Sequence, residues 1–137
     1  HLGEGDATLD EQQLAEHLHV RENIRFCGNQ RNVRRYLIAS DIYLMPSKFE
    51  GIPITAIEAM ASKVPSILYD VPGLKDFIRE KMCALIIPED NHILGKKILE
   101  LYSDKNLQNE LAEIAKAFVD KEFYMEANVE KIFQLYL

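Results

Sequence analysis

Two glutamates eight residues apart, Glu50 and Glu58, flank the segment Gly51-Ile52-Pro53-Ile54-Thr55. Gly51 lets another group approach the backbone closely, and Pro53 suits the first position of a helix while contributing no N–H. Backbone donors at this helix start therefore come from Gly51, Ile52, Ile54 and Thr55, and a helix N-terminus offers such unpaired N–H groups, with partial positive charge, to an anion such as phosphate. In helical projection Glu58 falls beside the stripe of Ile54, Ile57 and Ala61, so it is expected to border the buried face. A carboxylate there needs partners, and two neighbouring hydroxyls, such as those of a ribose, would satisfy both its oxygens. Glu50 lies on the other side of the turn. Sugar hydroxyls at Glu50, a diphosphate at the helix start and a ribose at Glu58 would follow the order of polar groups in a sugar nucleotide. The plainer alternatives are a tight turn at Gly51–Pro53 that binds nothing, and a solvated surface glutamate at Glu58.

The elements that position these residues form a strand, loop and helix. A strand Asp41 to Met45 ends at Pro46, a loop runs Ser47 to Ile52, and a helix runs Pro53 to Ser62; in open α/β sheets ligands bind beyond the carboxyl ends of such strands. Further short apolar runs predict strands at Ile24 to Cys27, Ser66 to Tyr69 and Ala84 to Ile87. Helical periodicity predicts helices at Asp10 to His19, Asn32 to Ala39 and Gly73 to Arg79, with Asp10 and Asn32 as caps. Strands alternating with helices imply an α/β domain with a mainly parallel sheet. From Asn91 onward the pattern is helical only: Ile93 to Tyr102, Leu107 to Val119 and Met125 to Leu137, broken at Ser103-Asp104 and Phe123-Tyr124. His1-Leu2 reads as the tail of a strand, followed by the turn Gly3-Glu4-Gly5-Asp6. With no repeat or linker visible, residues 1–137 are expected to form one domain.

Composition narrows the function classes. At 137 residues the chain can bury about two-thirds of its unfolded surface. Hydrophobic residues at 47% and charged residues at 28% place it among ordered globular proteins. A net charge of -6 argues against a nucleic-acid-binding surface. No run approaches the ~20 apolar residues of a transmembrane segment, and the N-terminus lacks a secretory pattern, so a cytoplasmic location is expected. Cys27 and Cys83 read as structural thiols, and His17 and His19, two apart, could not jointly grip a metal on a helix. Lys48 reads as a solvated loop residue. Gly3-Glu4-Gly5 is only a partial dinucleotide fingerprint.

Ser47 to Ala61, with its E-x7-E arrangement, resembles the signature of retaining glycosyltransferases of the GT-B fold (glycosyltransferase group 1, family 4-like). Gly3-Glu4-Gly5, Asn23 to Gly28, Ala39 to Ile42 and Val64 to Ile67 fall where similar segments fall in those enzymes. The resemblance implies a three-layer Rossmann-like donor domain, the C-terminal half of a GT-B enzyme, without a cofactor or metal motif. It implies that Glu50 contacts the donor sugar, Glu58 the ribose, and amides of Gly51 to Ile54 the diphosphate. It places the nucleobase by Gly28, Asn29 and Gln30, where an ordinary strand-end turn is the alternative. The implied reaction transfers a glycosyl group, with retention, from a UDP-, GDP- or ADP-sugar to a glycan or lipid acceptor hydroxyl, the leaving phosphate helping to deprotonate the acceptor. In that family an Arg/Lys pair and an N-terminal acceptor domain precede the segment matched by Gly3. The chain is accordingly expected to lack its first strand and that domain, to be inactive alone, and to reach a membrane only peripherally through the other half. The last helix, with an apolar stripe of Val129, Ile132, Phe133 and Tyr136, corresponds to the region that crosses back to that domain. Two rival readings are a noncatalytic nucleotide-sugar binding or assembly module and a dinucleotide-binding oxidoreductase domain. The second is disfavoured because the glutamate pair has no role in it.

Overall fold

The computed structural model describes residues 1–3, 8–74 and 83–134, in two compact units, His1–Val33 and Arg34–Leu137. In the first unit, α1 (Thr8–His17) leads to a short 3-10 helix, Arg21–Asn23. Because α1 starts at Thr8, Asp10 is not its cap; Asp10 and Glu11 lie in the first turn, where acidic side chains complement the helix dipole. The run Ile24 to Cys27 is not a regular strand, yet it is paired. The His1 amino group donates to the Arg25 carbonyl at 2.9 Å, and the Cys27 N–H donates to the His1 carbonyl at 2.9 Å. The Gly3 N–H then bonds the carbonyl of Gly28, at 2.9 Å, one residue beyond a regular parallel register. Gly28 at φ 60° turns the backbone out of the ladder. The strand-like tail at His1-Leu2 is thus present, but its partner turns away too early for a full strand. The turn from Glu4 to Asp6 lies outside the described residues.

In the second unit, α2 (Arg34–Ile38) begins two residues after Asn32, so Asn32 is not at the capping position. Strands β1 (Tyr43–Met45), β2 (Ser66–Tyr69) and β3 (Leu85–Ile87) form a parallel sheet in that order. Tyr43 lies opposite Ser66 and Ile67 opposite Leu85. Parallel neighbours need a crossover, and α3 (Ile54–Ala61) supplies the one between β1 and β2. The expected helix Gly73 to Arg79 falls largely outside the described residues. All four residues of β2 are buried, which requires cover on both faces of the sheet. Met60, Ile67, Leu68, Leu74 and Leu101 are fully buried in a core that also takes in Cys83, Leu111 and Ala115.

Three helices complete the chain: α4 (Asn91–Ser103), α5 (Lys105–Glu122) and α6 (Met125–Gln134). The break between α4 and α5 is held by polar groups. Asp104 accepts from the Leu107 N–H at 2.9 Å, and buried Gln108 donates to the carbonyls of Leu101 and Tyr102 at 2.8 and 3.1 Å. These bonds satisfy carbonyls that the end of α4 leaves without helical partners. On α6, Val129 and Phe133 are exposed, while Tyr136 and the Ile132 side chain lie outside the described part. No described helix is long and apolar enough to cross a membrane.

Helix α3 ends in a Schellman motif: the Val64 N–H bonds the Ala59 carbonyl and the Lys63 N–H the Met60 carbonyl, each at 3.0 Å. Lys63 occupies the left-handed position with φ 58°, where glycine is the unstrained residue. Its ion pair with Glu113 joins side chains 51% and 67% exposed and therefore contributes little. Lys63→Gly is expected to raise stability by roughly 0.5–1 kcal/mol, read as a higher urea midpoint at unchanged m-value. A lower midpoint would show that the Glu113 pair outweighs the backbone strain.

Candidate functional site

Parallel pairing brings the loops that follow β1, β2 and β3 to one edge of the sheet. The loop after β1 carries Lys48, Phe49, Glu50 and Gly51; the loop after β2 carries Val71, Pro72 and Gly73. These two loops touch through backbone. The Glu50 N–H reaches the Pro72 carbonyl at 3.5 Å, and a Cβ on Gly73 would stand 1.9 Å from the Glu50 carbonyl oxygen. Gly73 also has φ 86°. Only glycine fits, for both reasons, and the Glu50-Gly51 peptide is seated on it. Gly51 itself has nothing within 4 Å of where a Cβ would lie, so its outer side is open to approach.

Two helices start at this edge with opposite electrostatic character. At α4 the Asp90 carboxylate accepts from the N–H groups of His92 and Ile93, at 2.7 and 3.0 Å. Bonds from Ile93 and then His92 hold that carboxyl below its usual range. This start is closed to anions by a negative charge already in place. At α3 the capping position is Pro53, which supplies no side-chain bond. Pro53 is therefore not the first helical residue but the centre of an inverse γ-turn, with φ -80° and ψ 69°. That turn commits the Ile54 N–H to the Ile52 carbonyl at 2.9 Å, which removes Ile54 from the available donors in this conformation. The amides of Gly51, Ile52 and Thr55 have no acceptor among the described residues.

Glu58 is exposed, contrary to its expected place beside the buried face. The buried side of α3 consists of Ala56, Ala59 and Met60, with buried Pro53 just before the helix, while Ile54 and Ala61 face outward. Every residue of α3 except Thr55 and Glu58 is apolar, so periodicity alone could not choose the face; the small side chains of Ala56 and Ala59 settle it by allowing close packing. Glu50 is half-buried. Among the described residues neither glutamate has an ion-pair partner, and Lys48 is paired instead with Glu89 at 3.0 Å on the loop after β3.

A residue that sequence reasoning missed lies within the electrostatic reach of both carboxylates. Tyr43, the first residue of β1, shares a hydrogen bond of 2.8 Å with Thr55 Oγ1 in the first turn of α3. Its phenol is held above its ordinary value of 10.0, first by burial and then by the charges of Glu50 and Glu58, while the Thr55 bond acts in the opposite sense. Gly73 was also missed, although Val71-Pro72-Gly73 is a recognisable turn after an apolar strand. Gly28, Asn29 and Gln30 belong to the first unit, where Gln30 Nε2 donates to the Cys27 carbonyl at 2.6 Å. No group of three metal-ligating side chains occurs among the described residues.

The sequence profile of a family described as Glycosyl transferases group 1 matches residues 2–118. N-acetyl-alpha-D-glucosaminyl L-malate synthase of Bacillus anthracis is 28% identical over 136 residues, which are 98% of this chain and 36% of that protein. The putative teichuronic acid biosynthesis glycosyltransferase TuaC of Bacillus subtilis (strain 168) is 31% identical over 104 residues, 76% of this chain and 27% of its own length. The chain thus spans about a third of these curated relatives. A crystal structure of a mutant S. aureus TarM in complex with fondaparinux, alpha-GlcNAc-glycerol and UDP matches with a TM-score of 0.87 at 26% identity, covering 98% of this chain and 28% of that one.

Two measurements check the geometry. Gly73→Ala should lower stability by about 2 kcal/mol or more through backbone strain and the clash with Glu50, whereas Gly51→Ala should change it by under about 1 kcal/mol; equal effects in denaturant melts would refute the seating. In an alkaline titration at 295 nm, the difference between the parent and Tyr43→Phe should isolate a phenol ionising above 10.0, and Glu50→Gln should bring it down. Because the folded value is raised, its contribution to stability is intact below the unfolded value near 10 and is lost as pH rises through the folded one.

Proposed function

The chain belongs to the Glycosyl transferases group 1 family, with residues 2–118 matched, and on that premise we propose that residues 46–58 form the site for a nucleoside diphosphate sugar in a retaining glycosyltransferase. The observation that carries the reading is the uncapped start of α3, set between Glu50 and Glu58 at the carboxyl edge of a parallel sheet. The diphosphate meets the free amides of Gly51, Ile52 and Thr55. Hydroxyls of the transferred sugar meet Glu50, and those of the ribose meet the exposed carboxylate of Glu58. UDP is the first nucleotide to test, because the TarM structure contains it.

In the proposed reaction the bond between the anomeric carbon and the diphosphate oxygen breaks, and the leaving nucleotide keeps the electron pair. The acceptor oxygen bonds the anomeric carbon from the same face, and its proton passes to the leaving phosphate. Charge that develops on the diphosphate is met by amides already aimed at it, which need no reorganisation as the bond breaks. The acceptor, a glycan or lipid, is held by parts of the enzyme beyond this domain.

Calorimetric titration of the chain with UDP-, GDP- and ADP-sugars tests the donor site. One of the three is expected to bind saturably, and Glu58→Gln should weaken it about tenfold or more, the scale of bonds to a charged group. Unchanged affinity in Glu58→Gln would remove Glu58 from the site. NAD binding in the absence of any sugar-nucleotide binding would overturn the reading altogether. Donor binding with no glycosyl transfer, even when the rest of the enzyme is supplied, would identify a noncatalytic binding module.

A further inference from the structure

We propose that Tyr43 is a positioning residue of this site, holding the Thr55 hydroxyl so that its own proton is directed at the donor's diphosphate. The inference rests on the donor-site reading above. Its geometric basis is the 2.8 Å bond between Tyr43 Oη and Thr55 Oγ1, which joins the start of β1 to the first turn of α3. Thr55 carries the only side-chain hydroxyl in that turn, where Pro53 leaves the helix without a side-chain cap. Thr55 is exposed and Tyr43 is half-buried, so the threonine is open to an incoming ligand with the tyrosine set behind it.

The direction of the bond follows from the two groups. A hydroxyl has one proton to give and two lone pairs to accept with. A phenol is the more acidic donor and the poorer acceptor, because its lone pairs are delocalised into the ring. A phenol is protonated near neutral pH in any case, and burial, then the charges of Glu50 and Glu58, act in the same sense. Tyr43 therefore donates, Thr55 accepts, and the threonine proton is left free. A threonine in a helix otherwise divides between two χ1 rotamers, one of which turns its hydroxyl back to a preceding carbonyl. The bond from Tyr43 competes with that choice.

The charge balance of the site makes such an aimed neutral donor useful. A diphosphate arriving at α3 meets two carboxylates without ion-pair partners among the described residues, while Lys48 is engaged with Glu89. Within this turn neutral amides and hydroxyls supply the attraction, and each contributes fully only when oriented in advance.

The test is a double-mutant cycle on the whole chain, titrating calorimetrically with whichever of UDP, GDP and ADP the parent binds most tightly. Tyr43→Phe and Thr55→Val should each weaken binding roughly three- to tenfold, the range for one neutral hydrogen bond. The double variant should be no weaker than Thr55→Val alone, because the tyrosine acts through the threonine. Thr55→Ser should bind within about twofold of the parent; a role in packing alone would instead be restored by the isosteric valine. Parental affinity in both single variants, or losses that multiply in the double variant, would overturn the proposal. If Tyr43→Phe fails to fold, exposed Thr55 still decides, since Thr55→Val binding as the parent does refutes it. A parent that binds none of the three nucleotides sinks the donor-site reading and this inference together. Weakened binding in Glu58→Gln with unchanged binding in Tyr43→Phe sinks this inference alone.

Discussion

A strand hydrogen-bonded on both sides to parallel neighbours and covered on both faces has no room for a solvated group; all four residues of β2 are buried, and Ile67 and Leu68 at its centre are paired on both sides. The demand shapes everything around it. Apolar cover must come from helices, so the chain crosses over and returns in the same direction, and each crossover begins at the same edge of the sheet. Loops distant in sequence, around Glu50, Gly73 and Asp90, therefore gather at one edge. The site results from that burial requirement, since no other route brings three loops and two helix starts together there.

What happens at that edge is decided by which helix start is closed. A side-chain cap commonly adds about 1 kcal/mol, and α4 has one in Asp90. Helix α3 forgoes it. Pro53 occupies the position, bends the chain through a γ-turn and leaves the amides of Gly51, Ile52 and Thr55 without an acceptor among the described residues. The Glu50 carbonyl is pressed onto Gly73 at a distance no other residue would permit. Local stability is lower at this turn than a capped helix would give, and such losses concentrate where a ligand completes the structure.

Much of this was legible in the sequence. Ser66 to Tyr69 is a strand at the expected bounds, Met45 and Ile87 end theirs as expected, and the Rossmann-like α/β fold of the GT-B type is the one found. The E-x7-E spacing and the helix between its ends could be read from residue types alone. The face of α3 could not, because a helix apolar nearly all round has no periodic stripe, and its orientation depends on which side chains are small. The segment Ile24 to Cys27 has strand composition, but a strand also needs a partner of sufficient length, and Gly28 turns away after one regular pairing. Tyr43 and Thr55 stand twelve residues apart, in elements whose own patterns never refer to each other. Only the β1–α3 packing puts their hydroxyls together, as only the sheet brings Gly73 to Glu50.

The sequence of charges along the site sets what kind of ligand would be favoured under the proposed function. Carboxylates stand at both ends and helix amides in the middle, which is the complement of a molecule with hydroxyls at both ends and its negative charge between them. Free phosphate would gain the amides but also meet the field of Glu50 and Glu58 with no hydroxyl to offer either. A nucleoside alone would satisfy Glu58 and leave the amides without an acceptor. A sugar nucleotide satisfies all three regions at once, and its hydroxyl contacts offset the repulsion that its diphosphate must overcome. Selectivity then comes from repulsion as much as from attraction, and the acidic flanks of an anion site become the feature that discriminates among anions.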